Sequence, residues 1–113
     1  EAARFDAVTA LAGCGPAFVY RFIDALAGAG EALGIPADQA LRLALATAEG
    51  GALLAAASSD TPAVLADKVA SPGGSTRAGL NVLDADDALR RLLVETLAAS
   101  ARRNAEMAAA ARG

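Results

Sequence analysis

The sequence has no histidine, no tryptophan, one cysteine, one lysine and few aromatic residues, 4 % of its 113 positions. Without histidine, and with Cys14 alone, a single chain cannot assemble a zinc site of the His/Cys type. Ser-His-Asp and Cys-His nucleophilic arrangements are excluded on the same ground. Cys14 has no internal disulfide partner, which fits a reducing, cytoplasmic setting. The aromatic share is too small for a typical β-sandwich or a base-stacking platform. The longest uncharged run, Ala7 to Tyr20, is broken by Gly13-Cys14-Gly15-Pro16 and falls short of the roughly 20 apolar residues of a membrane span. The opening Glu1-Ala2-Ala3-Arg4 lacks the apolar core of a signal peptide. Basic residues are sparse too. Nine arginines and one lysine are outnumbered by thirteen acids, for a net charge of −3. No basic run exceeds a pair (Arg90-Arg91, Arg102-Arg103), which argues against a surface that tracks nucleic-acid phosphates.

What the sequence has is alanine. Apolar residues make up 55 %, and 33 of the 113 residues are alanines, against 15 leucines. Alanine is the best helix former and a poor strand former, so the expected fold is all-α. The length fits one domain, 1–113. Breaks fall at Gly34-Ile35-Pro36, Asp60-Thr61-Pro62, Ser71-Pro72-Gly73-Gly74 and Asp84-Ala85-Asp86-Asp87. Between them, apolar periodicity predicts about six helices, near 3–12, 15–33, 36–58, 62–70, 75–84 and 86–110. In the second, Val19, Ile23, Leu26, Gly30 and Leu33 form the expected core stripe. In the third, Leu41, Leu45, Ala48, Ala52 and Ala55 do so. Thr61 is the expected N-cap of the fourth, and Asp84 or Asp86 of the last, whose alanine-rich end is expected to fray.

Gly28, Gly30, Gly50 and Gly51 lie inside long helical segments, where each costs about 1 kcal/mol against alanine. Close approach of another backbone is a physical use for them. With alanine on several helix faces, this predicts an intertwined homo-oligomer. A GC-rich genome that uses alanine wherever nothing forbids it is the competing explanation.

The segment Ser71-Pro72-Gly73-Gly74-Ser75-Thr76 carries the most chemical information. A helix starting near Ser75 would leave unpaired N–H groups and positive partial charge at its start. Two glycines admit a ligand close to the backbone, and hydroxyls flank them. Together these form a candidate carboxylate or phosphate cradle. An ordinary Pro-Gly turn before a Ser/Thr-capped helix explains the same residues. No lysine follows Gly74, so this is not a P-loop. Cys14 reads as a small residue at a tight helix corner. Asp67, Asp84, Asp86 and Asp87 lack the spacing of a calcium loop and read as caps or solvated faces. No metal site is expected.

Two stretches resemble a known family. Phe5-Asp6-Ala7-Val8-Thr9-Ala10-Leu11-Ala12-Gly13-Cys14-Gly15-Pro16-Ala17-Phe18 resembles the D-A-V-T-x-L-S-G-S-G-P-A-Y stretch of pyrroline-5-carboxylate reductases. Asp67-Lys68-Val69-Ala70-Ser71-Pro72-Gly73-Gly74-Ser75-Thr76-Arg77-Ala78-Gly79-Leu80 resembles their D-x-V-x-S-P-G-G-T-T-x-A-G-L signature. The family's serines at Ala12 and Cys14 and its tyrosine at Phe18 are replaced here, so that corner loses two hydroxyls and a phenol.

The resemblance implies an enzyme that reduces 1-pyrroline-5-carboxylate to L-proline with NAD(P)H. It implies that this chain is the C-terminal dimerisation and substrate domain, interleaved with a two-fold mate in dimers that often assemble further. No G-x-G-x-x-G or alternating strand–helix pattern occurs here, so the N-terminal Rossmann domain that binds NADP or NAD is expected to lie outside this chain. The chain alone is expected not to turn over substrate. By the same resemblance, Ser71, Gly73, Gly74, Ser75 and Thr76 hold the substrate carboxylate. Thr76 also reaches the ring nitrogen as the catalytic residue, and Thr9 lies on the cofactor side. A free-standing all-α oligomerisation module that binds no ligand is the alternative reading.

Overall fold

The computed structural model describes residues 1–112. Among them there is no strand. The helices are α1 (Ala2–Val8), α2 (Gly15–Ala32), α3 (Ala37–Ala57), α4 (Pro62–Lys68), α5 (Ser75–Asp84) and α6 (Ala88–Arg112). A π-helical turn, Thr9–Gly13, continues α1, and a 3₁₀ turn, Ala85–Asp87, precedes α6. The all-α expectation holds. Two boundaries differ in kind from the prediction. The segment expected as one helix near 3–12 widens into π geometry at Thr9. The last helix runs on to Arg112, favoured by its alanines and by its packing against α1.

The chain forms two compact units. One comprises Glu1–Phe18 and the chain from Gly79 onward. In it, α1 and the π turn pack on α6, with Ala10 of the π turn fully covered. Asn104 of α6 donates its side-chain amide to Asp6 Oδ1 of α1. Ser100 of α6 donates its hydroxyl to Cys14 Sγ at 3.2 Å. This gives Cys14 its expected place at a tight corner, and Ser100 supplies a polar contact where the family motif has a serine. The caps expected at Asp84 or Asp86 are absent, since neither side chain accepts from the following backbone. Asp86 and Asp87 instead adopt left-handed backbone, φ 52° and 57°, and Arg91 Nε donates to the Asp86 carbonyl at 2.7 Å.

The other unit runs from Val19 to Ala78. Its core is Ala27 of α2 with Ala40 and Ala44 of α3, flanked by Ile23 and Ile35. The predicted stripes are therefore only partly right. Leu33 is 87 % exposed, and Val19, Leu41 and Leu45 are about half exposed. The physical reason is that α2 and α3 meet only at the small contact of Ala27 with Ala40 and Ala44, which is too limited to cover the larger leucines. Gly30 shares in this approach, since a Cβ there would stand 3.4 Å from Ile35 Cδ1. Gly28, Gly50 and Gly51 face open space within the chain, so their smallness serves no contact in a single copy.

Among the described residues only alanines are buried, while more than twenty large apolar residues are exposed. A lone chain this open leaves most of its hydrophobic stabilisation unrealised, at about 25 cal/mol per Å² of apolar surface. By length and composition α3 also has the character of a membrane span, which a search for uncharged runs alone overlooks because Arg42 and Glu49 interrupt it.

Candidate functional site: the turn between α4 and α5

The segment Ser71–Thr76 is built by its two flanking helices. At the start of α4, Thr61 is the N-cap as expected: its hydroxyl accepts from Val64 N–H at 3.3 Å, with Pro62 at the first helical position. Lys68, in the last turn of α4, pairs with Asp60, which fastens the helix back on its own entry. The chain then leaves α4 at Val69, and Ala70 is buried.

Ser71 to Gly74 forms a tight turn. Gly74 N–H donates to the Ser71 carbonyl at 3.1 Å. Gly73 sits at φ +76°, a conformation that costs an L-residue roughly 1–2 kcal/mol. Gly74 is closely approached: a Cβ there would stand 3.0 Å from Ser71 Oγ and 3.2 Å from the Ser71 carbonyl oxygen, tighter than ordinary contact. The two glycines thus have separate causes, one a dihedral angle and the other a close approach.

Helix α5 begins at Ser75, where the sequence places it. Ala78 N–H donates to the Gly74 carbonyl at 3.0 Å, so Gly74 stands at the N-cap. Among the described residues, the N–H groups of Ser75, Thr76 and Arg77 and the hydroxyls of Ser71, Ser75 and Thr76 make no hydrogen bond within the chain. Ser71, Gly73, Ser75 and Thr76 are exposed and Gly74 is half-buried. The result is a cluster of unspent donors at the positive end of a ten-residue helix, a setting suited to a small anion. Gly74 contributes shape rather than a donor, because its N–H is engaged in closing the turn.

Sequence reasoning missed Arg77. Its Nη2 donates both to Asp67 Oδ1, at 3.0 Å, and to the Ala70 carbonyl, at 3.2 Å. Asp67, read from sequence as a cap or solvated-face residue, is the anchor for this guanidinium. The available signal was an acid and a base ten positions apart, bracketing a Pro-Gly-Gly turn. Thr9 is the first residue of the π turn and is half-buried. It belongs to the other unit. No βαβ unit exists among the described residues, so they do not fit a dinucleotide and supply no cradle for its pyrophosphate.

Comparison with known proteins gives consistent results. The family model described as pyrroline-5-carboxylate reductase dimerisation matches residues 2–107. The pyrroline-5-carboxylate reductase of Pisum sativum is 45 % identical over 103 residues, covering 91 % of this chain and 37 % of the relative. That of Aquifex aeolicus is 52 % identical over 84 residues, covering 74 % of this chain and 32 % of the relative. Among solved structures, the Coxiella burnetii pyrroline-5-carboxylate reductase superposes with a TM-score of 0.85 at 33 % identity, covering 92 % of this chain and 38 % of that one. The Plasmodium falciparum pyrroline carboxylate reductase, solved with NADP bound, gives 0.82 at 32 % identity, covering 89 % and 38 %. The chain thus spans only about a third of the length of these relatives, 32–38 %.

Proposed function

This chain belongs to the pyrroline-5-carboxylate reductase dimerisation family, and on that premise we propose that it is the C-terminal, substrate-holding half of an enzyme that reduces 1-pyrroline-5-carboxylate to L-proline. The observation that carries the proposal is the Ser71–Thr76 turn. It stands on the family's signature motif, and its free donors suit the one fixed negative charge of the substrate.

Reduction of a cyclic imine adds a hydride to carbon and a proton to nitrogen; a bound NADP or NAD cofactor, in its reduced form NADPH or NADH, would supply the hydride and be oxidised in the step. The task left to this chain is orientation. The Ser75 and Thr76 N–H groups and the Ser71 hydroxyl hold the carboxylate. Gly73 and Gly74 let it approach the backbone. By the family resemblance, the Thr76 hydroxyl serves the ring nitrogen, and Thr9 matches the family's threonine on the cofactor side. A chemistry of orientation and hydride transfer needs neither histidine nor a protein nucleophile, and this chain has no histidine to offer.

The apolar surface has its own role in the proposal. A dimerisation domain implies homo-oligomerisation, and a two-fold mate would cover Leu41, Leu45 and the other exposed leucines of α2 and α3. Such a mate gives the apolar face of α3 an occupant other than lipid. Dimers then assemble further, and the enzyme works in the cytoplasm.

A helix N-terminus is worth about 0.3–1 kcal/mol to an anion, and up to about 2 in a sheltered site. With a few hydrogen bonds added, L-proline is expected to bind this chain in the millimolar range, where 1 mM corresponds to about −4 kcal/mol. Calorimetric titration with L-proline and D-proline tests this. One weak L-selective site per protomer supports the reading. No binding of either enantiomer to a folded oligomer favours the oligomerisation module without a ligand.

A further inference from the structure

We propose that Arg77 is a positioning residue for the cradle, acting by holding the two ends of the Ser71–Gly74 turn together. The inference rests on the reading of that turn as the carboxylate site and deepens it.

Arg77 lies in the first turn of α5, yet its side chain reaches back across the loop. One terminal nitrogen, Nη2, uses both hydrogens, on Asp67 in the last turn of α4 and on the Ala70 carbonyl just before the turn. The guanidinium therefore closes a ring that contains every donor assigned to the carboxylate. Its side chain is 27 % exposed, whereas that of Asp67 is 72 % exposed. The exposed partner tells what the pair does not do: an ion pair with one solvated member adds little to global stability. Local order is the remaining role. Four turn residues with two glycines lose much backbone freedom when fixed, and a ligand that binds a pre-fixed turn is spared that loss. The guanidinium is committed to Asp67 and Ala70, so it acts through the backbone and not as a ligand to the carboxylate. Lysine would reproduce this clamp poorly, because an ammonium is a point charge and lacks the fixed fork.

The test is L-proline affinity, read from the amide shifts of Ser75 and Thr76, alongside thermal unfolding, in four forms of the chain. These are wild type, Arg77→Ala, Arg77→Lys and Asp67→Asn. The expected result is about tenfold weaker binding for Arg77→Ala, a few-fold loss for Asp67→Asn, partial recovery in Arg77→Lys, and unfolding temperatures within a few degrees of wild type. Asp67→Asn removes only a solvated charge, so it reports on the clamp even if Arg77→Ala fails to fold. Wild-type affinity in Arg77→Ala and Asp67→Asn would overturn the clamp and leave the cradle standing. Absence of any L-proline response in the wild type would overturn the cradle and the clamp together.

Discussion

Gly74 stands so close to Ser71 that a single methyl group on it would meet the serine hydroxyl at 3.0 Å and its carbonyl oxygen at 3.2 Å. Contacts that short require Ser71 to give by a few tenths of an ångström, and the Ser71 carbonyl is also the acceptor that closes the turn. Gly74→Ala is therefore expected to weaken L-proline binding at least tenfold while lowering the unfolding temperature little, because the turn is exposed. Gly73→Ala acts by a different route, through its φ of +76°, and is expected to cost roughly 1–2 kcal/mol locally. Parallel calorimetric titrations and thermal melts of the two variants check both statements.

Across the helices, the bond from Asn104 to Asp6 joins α6 to α1 over 98 positions of sequence. Both groups are half-buried, so removing the donor leaves a carboxylate poorly served. Asn104→Ala is expected to destabilise the chain by about 1–3 kcal/mol in urea unfolding. Asp6→Ala together with Asn104→Ala should cost less than the sum of the single changes.

At the entry to α4, Thr61→Ala removes the acceptor for Val64 N–H and is expected to cost about 1 kcal/mol. Its consequence should reach the cradle, because α4 carries Asp67 and hence the anchor of Arg77. Faster amide hydrogen exchange at Val64 and Leu65 is the expected signature. Unchanged exchange there would show that the cap contributes nothing.

The exposed leucines bear on assembly. Leu45→Asp places a charge on the half-exposed apolar face of α3. Sedimentation should show the wild type as a dimer or a multiple of it, and the variant as dissociated or unfolded. A wild type that sediments as a folded monomer would contradict the role given to this face.

The local punctuation around the Ser71–Thr76 turn was well legible in the sequence. Thr61, Pro62, Gly73, Gly74 and Ser75 are local signals, set by capping and dihedral preference, and the structure puts α4, the turn and α5 at these residues. The burial pattern was less legible. Leu26, Leu33 and Leu41 were natural choices for a core, yet in one chain the contact is made by Ala27, Ala40 and Ala44. Periodicity marks which residues avoid water but not which copy of the chain covers them. The Arg77 clamp was hidden for a related reason. An arginine in a helix reads as a solvated residue until the fold shows that its side chain turns back to Ala70. The left-handed pair Asp86-Asp87 likewise cannot be told from ordinary capping in the sequence, because aspartate serves both purposes.

The most direct measurement of the central claim is an amide map of the folded chain titrated with L-proline, with D-proline and NADPH as controls. The account predicts L-selective shifts that centre on Ser75 and Thr76 and extend to Gly73 and Gly74. Shifts of equal size with D-proline, or none at these four residues at tens of millimolar ligand in a well-folded oligomer, would contradict it.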